Sequence, residues 1–131
     1  MGDLGPQTDW TTALEGVQAV IHCAARVHVM NERSADPLAE FRRVNVQGTL
    51  RLAQQAVQAG VKRLVYVSSV KVNGEQTEPG RPFAATDAPA PVDPYGMSKF
   101  EAEQGLRALS QATGLELVIV RPPLVYGPGV G

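Results

Sequence analysis

Three short apolar runs, separated by two stretches of helical spacing, leave this chain few ways to fold. Residues 17–24 read Val-Gln-Ala-Val-Ile-His-Cys-Ala, residues 62–68 contain Leu64-Val65-Tyr66-Val67, and residues 115–120 read Leu-Glu-Leu-Val-Ile-Val. Runs of this length fit strands buried on both faces. Between the first two, Asp36-Pro37 supplies a cap and a first helical residue. Leu38, Phe41, Asn45, Gly48, Leu52, Ala56 and Ala59 then recur at helical spacing, and Gly60 marks the stop. Asp93-Pro94 repeats that start, and Tyr95, Lys99, Ala102, Leu106, Leu109 and Thr113 carry the pattern to Gly114. Thr8 or Asp9 is expected to cap a further short helix that Gly16 ends. Strand, helix, strand, helix, strand predicts an α/β fold, a parallel sheet of about three strands joined by right-handed crossovers.

Ligands of such open sheets bind at the carboxyl ends of the strands. His22-Cys23-Ala24-Ala25, Ser68-Ser69 and Arg121-Pro122-Pro123 are expected there. Residues 70–93, with Pro79, Pro82, Pro89 and Pro91, read as one loop, long enough to suggest function. Thr86-Asp87 in it could touch a substrate, although such residues usually only solvate a loop.

Tyr95 and Lys99 stand four apart and so share one helical face. Both are ordinary helix residues, but only 3 Tyr and 3 Lys occur in 131 residues, so the spacing is no common accident. An ammonium about 4 Å from a phenol interacts by roughly 4 kcal/mol at an effective dielectric near 20. That predicts a Tyr95 pKa drawn from about 10 towards neutrality, where a general base works best.

Composition narrows the setting. A net charge of −1 gives no basic footprint for nucleic acid or an anionic membrane. No apolar run approaches the roughly 20 residues of a membrane span. The start, Met1-Gly2-Asp3-Leu4, has no cationic or apolar leader, and the lone Cys23 excludes an internal disulfide. A cytoplasmic globular protein is expected. His22, Cys23 and His28 lack a fourth partner for zinc, so no metal is expected. His22 reads instead as a packed or bonded ring and Cys23 as a small core filler.

These residues together resemble the extended short-chain dehydrogenase/reductase family, in its nucleotide-sugar epimerase/dehydratase branch. Asp3-Leu4 resembles the adenine-contacting pair, Val20-Ile21-His22-Cys23-Ala24-Ala25 the strand beneath the cofactor, and Asn45-Val46-Gln47-Gly48-Thr49 the Asn-x-x-Gly-Thr helix motif. Val67-Ser68-Ser69-Val70-Lys71-Val72-Asn73-Gly74 resembles the strand bearing the catalytic hydroxyl, and Tyr95 with Lys99 the catalytic pair. Arg121-Pro122 to Gly129 resembles the closing Arg-Pro-x-x-Val-Tyr-Gly-Pro-Gly signature.

The resemblance implies a partial Rossmann-like, doubly wound domain that binds NAD or NADP and a nucleotide-diphosphate sugar. It implies catalytic roles for Ser69, Tyr95 and Lys99. Tyr95 would take a proton from a sugar hydroxyl, Lys99 would lower its pKa and hold the nicotinamide ribose, and Ser69 would orient the oxygen. Asp3, Leu4, Cys23, Ala24, Ala25, Asn45, Ser68 and Pro122 would line the cofactor, with Tyr95 and Lys99. Asn45 reads equally as a structural residue beside the site.

Dehydratases of the branch follow the catalytic Thr with Asp-Glu, where this chain has Val70-Lys71, and the Glu of related decarboxylases is also missing. A 4-epimerase or 4-keto reductase is therefore expected. A steroid- or flavonoid-type ketoreductase and a non-catalytic dinucleotide sensor or scaffold are the alternatives. No Gly-x-x-Gly-x-x-Gly loop is present. Residues 1–131 thus read as the central and C-terminal part of the dinucleotide domain, without the upstream βαβ half or the downstream substrate domain. Alone, the chain is expected to have little activity; the full-length protein is expected to be a homodimer built through the two helices.

Overall fold

The computed structural model describes residues 3–27 and 35–129. Its strands β1 (Ala19–His22), β2 (Arg63–Val67) and β3 (Glu116–Val120) form one parallel sheet in the order β1-β2-β3. The register sets Ile21 beside Val65 and Val65 beside Val118, and His22 beside Tyr66 and Tyr66 beside Ile119. Each strand falls inside its expected run, shorter by one or two residues at one or both ends.

The first crossover is one helical rod in three parts: α1 (Pro37–Phe41), a π-helical stretch (Arg42–Gly48) and α2 (Thr49–Gln58). A regular α-helix was the expectation. The widened stretch contains two buried positions, Asn45 and Gly48, at the point where Leu4 presses on the rod. The second crossover, α3 (Pro94–Thr113), follows the sequence closely. Asp93 caps it by accepting from the Gly96 amide at 2.6 Å, Pro94 opens it, and Gly114 ends it in the left-handed region at φ 75°. The short helix before β1 is a single 3-10 turn, Thr12–Leu14, with Asp9 accepting from the Thr11 amide.

Two successive right-handed crossovers in one direction must place both helices on one face of the sheet. Leu64 and Tyr66 of β2 are accordingly buried beneath Leu52, Ala53, Ala56, Ala102 and Leu106. A bidentate Arg42–Glu101 ion pair joins the two rods at their outer rim. The other sheet face is apolar and bare, with Ile21 70% and Val120 44% exposed.

Candidate active site

Three segments leave the carboxyl ends of the strands together. The ladder between β2 and β3 runs past the strands themselves, through Ser68 N to Val120 O at 2.7 Å and Val70 N to Pro122 O at 3.0 Å. That keeps Ser69 extended at φ −157°, and its hydroxyl accepts from the Lys71 amide to cap a 3-10 turn, Val70–Val72. Across from it, the capped start of α3 presents Tyr95, whose hydroxyl comes close enough to the Ser69 side chain to interact with it. Tyr95 also meets the Phe41 ring edge-on, centroids 6.1 Å apart. Ser69 and Tyr95 are brought together, as the sequence suggested.

Lys99 lies one turn further into the molecule and is almost fully buried. Its Nζ donates to the Val67 carbonyl at 2.8 Å and sits 4.2 Å from the Tyr66 ring centroid. Burial draws its pKa down to about 8, against the opposing pull of Glu103. The expected depression of Tyr95 by Lys99 is not what the structure shows. Burial raises the Tyr95 pKa above that of a free phenol, and the Ser69 hydrogen bond and the Lys71 charge only partly oppose it. An i, i+4 spacing sets the shared face, not where the ammonium points; Lys99 points at β2. In this arrangement Lys99 does not draw the Tyr95 phenol towards neutrality.

The residues expected to line a cofactor divide. Cys23 and Ala24 are exposed and Ala25 half-buried, just beyond β1. Cys23 as a core filler is thus corrected, because it lies past the last residue of an edge strand. Ser68 is buried and its Oγ has no partner, an orphaned polar atom at the carboxyl end of β2. Pro122 serves through its carbonyl, the acceptor for Val70. Asn45 takes up the structural one of its two expected roles. Its amide donates to Arg26 O at 3.0 Å and Ser98 Oγ at 2.9 Å, and its oxygen accepts from Arg26 N at 2.8 Å. Leu4 wedges against Gly48, and with Asp3 it lines a separate hollow beside Arg43.

His22 is the packed ring foreseen: its Nε2 is 2.8 Å from Thr49 Oγ1, beside the Tyr66 ring. His28 lies outside the described residues. Burial, aided by the Lys99 charge, lowers the His22 pKa from 6.5 to about 4. The unfolded chain therefore binds a proton that the native chain refuses, and stability falls as pH drops through that window. The loss reaches at most about 3 kcal/mol. Urea unfolding at the two ends of the window measures it, and His22→Gln should flatten the curve. Asp87 shapes its loop by accepting from the Ala84 amide at 2.8 Å.

Two polar clusters were not foreseen. Lys71 Nζ reaches Asp93 at 2.7 Å and Glu75 at 2.8 Å. Deeper in, buried Glu103 takes Arg121 in a two-point ion pair at 2.6 and 2.9 Å, and Arg121 also donates to Asn73. Glu103 stands four after Lys99 on the inward face, which was the available signal. Gly96 is the tightest backbone approach of the site: a Cβ there would lie 2.8 Å from the Lys71 carbonyl oxygen. Gly96→Ala is expected to destabilise by about 1–3 kcal/mol, read by denaturant unfolding.

A hydroxyl and a phenol thus lie side by side at the carboxyl ends of a parallel sheet, with a buried lysine beside them. Over residues 1–131 the chain matches the NAD dependent epimerase/dehydratase family, and it belongs to that family. It is 51% identical to a UDP-glucose 4-epimerase of Vibrio cholerae over 99% of its own length and 40% of that protein's. Among solved structures, the dTDP-glucose 4,6-dehydratase DesIV of Streptomyces venezuelae, with NAD and TYD bound, superposes with a TM-score of 0.80. The two are 37% identical over 90% of this chain and 35% of that one. MoeE5 in complex with UDP-glucuronic acid and NAD also gives 0.80, at 35% identity over 98% of this chain and 42% of that one. The chain thus spans about two-fifths of these relatives. No helix among the described residues is long and apolar enough to cross a membrane.

Proposed function

We propose that residues 1–131 are the central part of an NAD(P)-linked nucleotide-sugar 4-epimerase, with a UDP-hexose as substrate. The observation that carries this is the placing of the Ser69 and Tyr95 side chains together at the strand ends, beside the buried Lys99 ammonium. The residues fit a bound dinucleotide: Ser68 Oγ needs a partner, Cys23 and Ala24 leave small side chains open, and Lys99 holds a buried cation. The nicotinamide would supply the hydride acceptor and donor.

Tyr95 would exchange a proton with the sugar C4 oxygen, and Ser69 would orient that oxygen through its hydroxyl. Lys99 would turn from the Val67 carbonyl to a ribose hydroxyl, and only then reach the phenol closely enough to lower its proton affinity. Elimination of water would need a free acid and base after Ser69. Val70 offers neither, and Lys71 is held by two carboxylates. Dehydration is therefore not proposed, although dehydratases are among the relatives.

The phosphate cradle and most of the sugar pocket would come from other parts of the enzyme. The bare sheet face at Ile21 and Val120 is surface those parts would cover, and residues 1–131 alone should show little turnover. Full-length protein given UDP-glucose and NAD should yield the C4 epimer, detected by proton NMR. Reduction of a 4-keto sugar with NADPH, without epimerisation, would instead favour a reductase.

A further inference from the structure

Resting on that reading, we infer that Lys71 is a positioning residue: its ion pair with Asp93 fastens the turn that carries Ser69 to the helix start that carries Tyr95. The two reacting hydroxyls come from segments far apart in the chain, for Lys71 and Asp93 are 22 residues apart, joined through the proline-bearing loop. Lys71 touches both sides of the joint. Its amide donates to Ser69 Oγ, its carbonyl abuts Gly96, and its ammonium binds Asp93 at 2.7 Å. Asp93 divides its oxygens, Oδ2 to Lys71 and Oδ1 to the Gly96 amide, so the same carboxylate caps the helix and closes the clamp. Glu75 holds the ammonium from the other side.

Both clamp side chains are partly solvated, 41% and 31% exposed. Such a pair adds little to global stability. Its effect belongs in the alignment of Ser69 with Tyr95, where a displacement near 1 Å can cost about a hundredfold in rate.

The test uses the full-length enzyme and four variants: Lys71→Met, Lys71→Arg, Asp93→Ser, which keeps a helix cap, and the Lys71→Met/Asp93→Ser double. Each single loss should lower kcat about tenfold and leave KM for the nucleotide sugar within about twofold. The double should be no slower than the worse single, and Lys71→Arg should recover to within about threefold. A Lys71→Met enzyme with unchanged kcat, or a double variant showing the product of both losses, overturns the inference. If the parent protein turns over no nucleotide sugar, the reading above fails and the clamp is judged by NMR of isotope-labelled tyrosine. The Tyr95 resonance should then move in Lys71→Met and return in Lys71→Arg; a resonance that does not move rejects the clamp.

Discussion

Replacing Tyr95 by Phe in the full-length protein should lower turnover by about a thousandfold, the middle of the range for general acid–base groups. Dinucleotide affinity should hardly change. The substitution removes one hydroxyl and leaves the ring that packs edge-on against Phe41, so the start of α3 stays in place. What disappears is the hydroxyl beside Ser69, the group that would exchange a proton with the sugar. Turnover assayed alongside isothermal titration with NAD separates the two effects. A dinucleotide sensor built on this fold would bind as before and have no turnover to lose. Retained turnover in Tyr95→Phe would remove this tyrosine from the chemistry.

The second large effect lies deeper. Glu103→Ala should destabilise the protein by about 3–5 kcal/mol, the cost of stranding a buried charge. Glu103 is 1% exposed and its partner Arg121 only 13%, so neither can recruit bulk water once the other is gone. Arg121 would keep only Asn73 as a neutral acceptor. Replacing both ions, as Glu103→Met with Arg121→Met, should recover most of the loss, because the expense lies in the unpaired charge. Denaturant midpoints and slopes for the two proteins decide this. There is a consequence for the site as well. Glu103 does most to hold the Lys99 pKa up, so its removal should lower that pKa further below about 8.

The strands and crossovers were legible because they rest on local rules. Leu64-Val65-Tyr66-Val67 can hardly be anything but a strand, and Asp93-Pro94 with Gly114 bounds α3 without knowledge of the rest. The meeting of Ser69 and Tyr95 was legible through topology, since parallel strands deliver their carboxyl ends to one edge. The π-helical stretch left no mark, because the seven residues Arg42–Gly48 are too few for a wider turn to disturb a pattern read along the whole rod. Lys99 was misjudged for a related reason. Its face could be read, but its acceptor, a carbonyl on β2, emerges only when helix and sheet are packed. Lys71 and Asp93 meet through a loop with no periodicity to read. Asn45 was left open between two roles, and its bonds to Arg26 and Ser98 decide for the structural one.

The measurement that bears most directly on the proposed chemistry follows one atom. Full-length enzyme is given UDP-glucose carrying deuterium at C4, with NAD, and the product is read by NMR. A hydride removed and returned at one carbon predicts the C4 epimer with its deuterium retained. An epimer that has exchanged its deuterium for solvent hydrogen, or no epimer at all, would contradict the account.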